Sequence, residues 1–119
     1  MAGISEKINN QHYHLIGVGG IGMSGIAKLL LHNHITVSGS DLKETEITEH
    51  LKRLGANIFI GHNPLNISGA DLVVYSSAIG EDNPEVKEAK WVNQAEALKL
   101  IVYENAREIF KAALKKLKI

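Results

Sequence analysis

Cysteine is absent from the 119 residues, which excludes disulfide bonds and thiolate metal sites and is typical of a cytoplasmic protein. Net charge is absent too: Lys plus Arg and Asp plus Glu each total 13, so no overall field attracts nucleic acid or an anionic membrane. No apolar run approaches the roughly 20 residues that a membrane-spanning helix needs. The polar residues 1–11 lack the apolar stretch of a signal peptide. We therefore predict a cytoplasmic protein that binds neither nucleic acid nor membrane.

Several catalytic patterns are missing as well. No Gly-Lys pair occurs, so the chain lacks the G-x-x-x-x-G-K-[ST] loop that holds the phosphates of ATP. Two histidine pairs, His12/His14 and His32/His34, have a spacing that places both rings on one face of a strand, but no third ligand accompanies either pair. Ser24 lies outside any G-x-S-x-G elbow. We predict no metal site and no catalytic residue in this chain.

Glycine, by contrast, is concentrated near the N-terminus. An apolar strand runs into the pattern G-x-G-x-x-G at residues 17–22, and a helix follows. Gly17 permits a tight turn, Gly19 lets the backbone approach a phosphate, and Gly22 allows close packing of helix on strand. The exposed N–H groups and the positive helix end then face an anion. This context predicts a diphosphate-binding loop, with a purely structural turn as the alternative.

Strands and helices alternate along the first three quarters of the chain. Short apolar segments bounded by turn residues predict strands, and apolar residues at helical spacing predict helices between them. This alternation is typical of an α/β, Rossmann-like, three-layer domain with a mainly parallel sheet of four or five strands. Ligands of such sheets bind at the carboxyl edge. The predicted strands cover residues 13–18, 35–41, 56–60 and 71–75; the helices cover residues 21–33 and a segment from Thr45 or Thr48 to Gly55.

The last 25 or so residues follow a different pattern. From residue 95 to residue 119 there is no proline or glycine, and apolar residues recur at three- and four-residue spacing. This predicts one long amphipathic helix, with a possible break near residues 103–105. We divide the chain into residues 1–98, which carry the nucleotide site, and residues 99–119, a helix that continues the same domain. Four lysines near its C-terminal end, Lys111, Lys115, Lys116 and Lys118, are interpreted as a solvated face.

By spacing alone, the loop could also hold a dinucleotide. Asp41 ends the second predicted strand about 20 residues after the glycine loop, where NAD enzymes keep a carboxylate for the ribose hydroxyls. A turn or cap role for Asp41 is the other interpretation. An NAD or FAD module therefore stays a candidate, as does a non-catalytic interaction domain whose terminal helix docks on a partner.

Longer strings separate these candidates better than the glycine motif does. Over about residues 12–98 the chain resembles the N-terminal, UDP-binding domain of the Mur ligases, and within that family the branch that adds L-alanine. The strings that carry the resemblance, in the family's order, are GVGGIGMSGIA (17–27), VSGSD (37–41), LGA (54–56), GH (61–62), DLVV (71–74), SSAI (76–79) and NPE (83–85).

The resemblance implies a substrate-binding part of a larger enzyme. In the family this domain holds the UDP part of UDP-N-acetylmuramate, a central domain binds ATP, and a third domain helps to close the site. A full-length ligase is thus expected to use ATP and Mg²⁺ in the synthesis of peptidoglycan precursors. This chain, without the central and C-terminal domains, is expected to need no cofactor and to catalyse nothing alone. Both an excised domain and a natural short protein fit the sequence.

The resemblance also implies which residues contact the ligand, in addition to Gly17, which forms the turn. Ser40 and Asp41 are expected near the nucleoside or sugar. His62 could instead be a turn histidine, and Ser76 and Ser77 could simply end a strand. The diphosphate is assigned to Gly19, Gly20, Ile21, Gly22, Met23 and Ser24, and the pocket at the ends of the third and fourth strands to His62, Ser76, Ser77, Ala78 and Ile79.

Overall fold

A five-stranded parallel sheet organises the part of the chain that the structure, a computed structural model, describes: residues 11–105, 107, 108, 111 and 115. The elements in chain order are β1 (His12–Ile16), α1 (Ile21–His32), β2 (Thr36–Asp41), α2 (Glu46–Arg53), β3 (Asn57–Ile60), a 3-10 helix (Pro64–Ile67), β4 (Leu72–Ser76), α3 (Pro84–Gln94) and β5 (Lys99–Tyr103).

The strand order is β3-β2-β1-β4-β5, and every neighbouring pair is parallel. The chain builds outward from β1 to β3, crosses back over the sheet, and continues from β4 to β5. The order reverses between β1 and β4, so the crevice outside their carboxyl ends is where such sheets bind ligands. This confirms the predicted α/β class and parallel sheet.

Apolar side chains alternate between the two faces of the central strands, as a sheet covered on both sides requires. On one face Leu15 of β1 and Val74 of β4 pack with buried residues of α1 and with Leu51 of α2. On the other face Ile16 and Val73 pack with residues of α3 and the 3-10 helix. The helices therefore hold the strand ends, and the loops that follow them, from both sides.

The C-terminal prediction of a helix from residue 95 is wrong over residues 95–103, because residues 95–98 form a turn and Lys99–Tyr103 form β5. This segment, KLIVY, is rich in residues that favour strands, and its backbone pairs with the whole of β4, from Leu72↔Lys99 to Ser76↔Tyr103. The open edge of β4 thus overrides helical spacing. Residues 107, 108, 111 and 115 are helical, as predicted, and the remainder of the predicted helix lies outside the described residues.

The helix α3 has no counterpart among the predicted elements. Asn83 caps it, because its Oδ1 accepts hydrogen bonds from the amides of Glu85 and Val86 at 2.8 and 3.3 Å, and Pro84 occupies the first turn. These signals were present in the sequence. Within the described segments, no helix combines the length and apolar character needed to cross a bilayer.

Candidate functional site

The glycine loop is tied to the end of β2. Gly17 turns the chain with a φ of 78°, in the left-handed region that favours glycine, which confirms the predicted tight turn. The amides of Gly17 and Val18 both donate to the carbonyl oxygen of Ser40, at 2.8 and 3.0 Å. The amide of Gly20 donates back to the carbonyl of Gly17 at 3.0 Å. These bonds fix the loop at the carboxyl edge of the sheet.

The helix α1 begins at the end of this loop with no side chain capping its N-terminus. Gly20 occupies the N-cap position, and the amide of Ser24 donates to its carbonyl at 2.8 Å. The amides of Ile21, Gly22 and Met23 precede that first turn of helical bonds and so point out of the helix. No acidic residue lies in the first turn to compete with an anion. Free N–H groups at the positive end of a helix dipole form an anion-binding site.

Other residues predicted to hold the diphosphate have contacts within the protein. The amide of Gly19 donates to Asp41 Oδ2 at 2.9 Å. Ser24 is buried, and its hydroxyl donates to the carbonyl of Ile21 at 3.1 Å. The amides of Ile21, Gly22 and Met23 are therefore the better placed donors, and ligand contacts by all six residues predicted to hold the diphosphate stay predictions.

Asp41 links β2 to the glycine loop. Its Oδ2 accepts from Gly19, and its Oδ1 accepts from the amide of Leu42 at 2.7 Å. Both carboxylate oxygens are thus bonded to backbone amides, as the turn interpretation of Asp41 expects. A Cβ placed on Gly19 would lie 2.7 Å from Asp41 Oδ2, so any larger residue here would force that carboxylate to shift.

The loop, α1 and the ends of the strands enclose a cleft of about 310 Å³. This volume lies within the range of small-ligand sites, which runs from roughly 300 to 1,000 Å³. Leu42 and Ile16 line the cleft although neither was predicted; Leu42 is 70% exposed and adds apolar surface at the mouth. The predicted residues that line it are Gly17, Gly20, Gly22, Met23, Asp41, His62, Ser76, Ala78 and Ile79.

Five predicted site residues do not line this cleft: Gly19, Ile21, Ser24, Ser40 and Ser77. Ser40 is fully buried beneath it, where its hydroxyl donates to Glu85 Oε1 at 2.8 Å. Ser77 is exposed and binds the end of β5, since its amide and hydroxyl donate to the carbonyls of Tyr103 and Glu104 at 2.8 and 2.9 Å. Ligand contacts by Ser40 and Ser77 stay predictions. Ile21 has its side chain 88% exposed beside the loop.

A buried carboxylate lies directly under the cleft. Glu85, in the first turn of α3, is fully buried. Its Oε1 accepts from His14 Nε2 at 2.6 Å and from Ser40. Its Oε2 accepts from His62 Nδ1 at 2.6 Å and from Asn66 Nδ2 at 3.3 Å. One carboxylate thus joins β1, β2, the 3-10 helix and the loop that carries His62.

These bonds determine the charge of Glu85. Burial by itself raises the pKa of this carboxyl, but the hydrogen bonds from His14, Ser40 and His62 favour the ionised form more strongly. The net result is a pKa below the ordinary value, so Glu85 is an anion and accepts hydrogen bonds only. A buried anion needs such partners, since an unpaired one is strongly destabilising.

A histidine chain continues from Glu85 along one face of the sheet. His14 Nδ1 and His12 Nε2 both lie 2.7 Å from the hydroxyl of Ser38, and His12 Nδ1 lies 3.1 Å from the carbonyl of Gly69. The prediction that His12 and His14 share a face is confirmed. Their rings form hydrogen bonds within the core, and among the described residues no group of three or more His, Cys, Asp or Glu side chains is arranged so that it could hold a metal ion.

Glu85 was missed as a site residue in the sequence. It appeared only within the string NPE, and the Asn-Pro pair before it was a readable helix-start signal. Nothing local indicates that this glutamate is buried, because its partners His14, Ser40 and His62 lie 71, 45 and 23 residues away.

This chain is similar in sequence to a known protein family and to individual members of it. Residues 12–109 match the protein family described as "Mur ligase family, catalytic domain". The UDP-N-acetylmuramate--L-alanine ligase of Clostridium botulinum (strain Langeland) is 55% identical over 87 residues, which are 73% of this chain and 19% of that ligase. The ligase of the same name from Persephonella marina is 58% identical over 80 residues, 67% of this chain and 17% of that protein.

The chain therefore spans about a fifth of the length of these curated relatives. A solved structure, UDP-N-acetylmuramate-alanine ligase MurC from Thermotoga maritima, superposes with a TM-score of 0.75 at 34% identity, covering 90% of this chain and 23% of that one. The family match includes every strand from β1 to β5, the glycine loop and Glu85.

Proposed function

The chain belongs to the Mur ligase family, as its resemblance predicted, and from this premise we propose that the cleft binds the UDP part of UDP-N-acetylmuramate. The uncapped N-terminus of α1 carries this proposal, because it aims the free amides of Ile21, Gly22 and Met23 at the place where a diphosphate would lie. Such fixed dipoles stabilise the anion without reorganising when it binds.

The proposed role is to position a substrate. Held by its diphosphate, UDP-N-acetylmuramate would present its carboxylate to an ATP site in the remainder of a full-length ligase, so the contribution is proximity and not acid–base chemistry. The residues present do not fit ATP and Mg²⁺: the sequence lacks the Gly-Lys phosphate loop, and no three or more His, Cys, Asp or Glu side chains of the described residues are arranged to hold a metal ion. We therefore expect no ligation by this chain alone. The cytoplasmic location stays a prediction.

A dinucleotide module receives less support. In that case Asp41 would bind the adenosine ribose, but the relatives that match most of this chain are named UDP-N-acetylmuramate--L-alanine ligases. An interaction domain with an unused loop would leave the free amides of α1 without a role.

Calorimetric titration with UDP-N-acetylmuramate, UDP and NAD tests the proposal. We expect saturable binding of both uridine nucleotides and none of NAD. Binding of NAD alone would replace the proposal with the dinucleotide module. Binding of none would favour the interaction domain.

A backbone variant tests the free amides directly. Ile21 is the first residue of α1, a position where proline is favoured, and Gly20 before it has an extended backbone (φ −69°, ψ 156°) that tolerates a following proline. Ile21→Pro should therefore keep the fold, remove one N–H donor and weaken UDP binding roughly tenfold or more. Ile21→Ala is the matched control, since it removes the exposed side chain and keeps the amide. Equal affinity of the two variants for UDP would show that this amide does not bind the diphosphate.

A further inference from the structure

We propose that Glu85 is a positioning residue that holds the His62 ring with Nδ1 inward and Nε2 facing the nucleoside part of the ligand. The inference rests on the proposed function of the cleft. It assigns a role to a buried side chain that cannot touch the ligand and acts only through His62.

The two nitrogens of His62 have different surroundings. Nδ1 lies 2.6 Å from Glu85 Oε2 and 3.2 Å from the hydroxyl of Ser40. Nε2 makes no hydrogen bond within the described chain. Every buried side-chain nitrogen and oxygen of the described residues has a hydrogen-bond partner, so Nε2 is not buried. Nε2 is therefore open to solvent, and His62 lines the cleft. The free nitrogen is the one available to a ligand.

The charge of Glu85 fixes the tautomer of this ring. A carboxylate only accepts hydrogen bonds, so Nδ1 must carry the proton and donate it. In the neutral ring Nε2 is then an acceptor. Its ligand partner must be a donor: a ribose hydroxyl or the N–H of a pyrimidine base offers one, whereas an ionised diphosphate offers none. The geometry therefore assigns His62 to the nucleoside and leaves the diphosphate to α1.

The carboxylate itself is held rigidly. His14 from β1 and Ser40 from β2 bind Oε1, and Asn66 from the 3-10 helix binds Oε2 beside His62. Asn83 caps the helix turn from which Glu85 projects. Donors on several elements leave the carboxylate one orientation, so the ring that it holds is preorganised before the ligand arrives.

A double-mutant cycle distinguishes this role from a merely structural one. UDP affinity is measured by calorimetry for the full chain and for Glu85→Gln, His62→Ala and the double variant, at roughly pH 8, where histidine is ordinarily neutral. We expect Glu85→Gln to weaken UDP binding about tenfold, and to have no further effect once His62 is alanine. Glu88→Gln, the same change one turn later on α3, is the matched control and should leave the affinity unchanged.

The tautomer of the His62 ring can also be measured in the absence of ligand. Nitrogen-15 NMR of the full chain should show His62 protonated at Nδ1 and unprotonated at Nε2, and Glu85→Gln should lose that preference. Additive losses of affinity in the cycle, or a proton on Nε2 in the unsubstituted chain, would overturn the inference.

Failure of the proposed function gives a different result. If the unsubstituted chain binds no UDP, the proposed function is rejected, and the ring spectrum alone decides whether Glu85 fixes His62. If Glu85→Gln does not fold, the spectrum of the unsubstituted chain decides in the same way.

Discussion

Gly39 lies where the glycine loop folds back over the sheet. A Cβ at this position would lie 2.7 Å from Val18 Cβ and 2.8 Å from its Cγ2, and Val18 is fully buried. Val18 cannot move away from the added Cβ, because its amide donates a hydrogen bond to the carbonyl of Ser40. Gly39→Ala should therefore lower the free energy of unfolding by about 2 kcal/mol, measured by urea denaturation, through overpacking.

Gly25 supplies the matched control for that substitution. It lies inside α1, and a Cβ added there meets nothing within 4 Å. Gly25→Ala should stabilise the protein by about 0.5 to 1 kcal/mol, because glycine is a poor helix former. Similar destabilisation by both substitutions would contradict the assigned role of Gly39.

Glu85 should also make stability depend on pH. Its pKa in the folded protein lies below the ordinary value of 4.5, so at acid pH the unfolded chain binds more protons than the folded one. The stabilisation is complete above about 4.5 and is lost as the pH falls through the folded pKa. We expect the free energy of unfolding to decrease over this range and the decrease to be smaller in Glu85→Gln. Glu88→Gln should retain the full slope; equal slopes in all three proteins would refute the assignment.

At the scale of elements, a comparison of two helix caps distinguishes an effect on the free energy of unfolding from an effect on ligand affinity. Asn83 caps α3 through the amides of Glu85 and Val86, and Thr45 caps α2 by accepting from the amide of Thr48 at 3.3 Å. Replacing either cap residue by alanine should lower the free energy of unfolding by about 1 kcal/mol. Only α3 carries Glu85, so only Asn83→Ala should also weaken UDP binding. Calorimetry on both variants checks this, and equal affinities would contradict it.

The strand β5 shows why element prediction failed at one end of the chain. Leu98 and Val102 have helical spacing, but Leu98 is 7% exposed and ends the loop after α3, whereas Val102 is 49% exposed on β5. Over so short a segment the spacing of apolar residues does not distinguish a helix from a strand. The segment forms a strand because the edge of β4 offers it backbone hydrogen-bond partners.

At the scale of the whole molecule, β5 determines how far the C-terminus can be truncated before the sheet is incomplete. A chain ending at residue 98 would expose the edge of β4, leaving backbone groups from Leu72 to Ser76 without their partners. A chain ending at residue 105 would retain the complete sheet. We expect the shorter chain to aggregate or to unfold without cooperativity, and the longer one to unfold cooperatively. Circular dichroism during thermal unfolding compares them, and equal stability would show that β5 contributes little.

The sequence by itself determined the features that depend on neighbouring residues. The turn at Gly17, the helix that follows it and the alternation of strands and helices all arise from local backbone preference and side-chain periodicity. Because this alternation requires a parallel sheet, it also places the carboxyl ends of the strands, and with them most cleft residues, at one edge.

Only the tertiary structure decided the partners of distant residues. Whether Asp41 faces a ligand or the loop depends on where the amide of Gly19 lies, and whether Glu85 is a solvated surface residue or a buried anion depends on His14, 71 residues earlier. Hydrogen bonds between such residues form only after strands from separate parts of the chain have paired. No local preference encodes them, because burial and partnership are properties of the packed sheet and helices and not of any one segment.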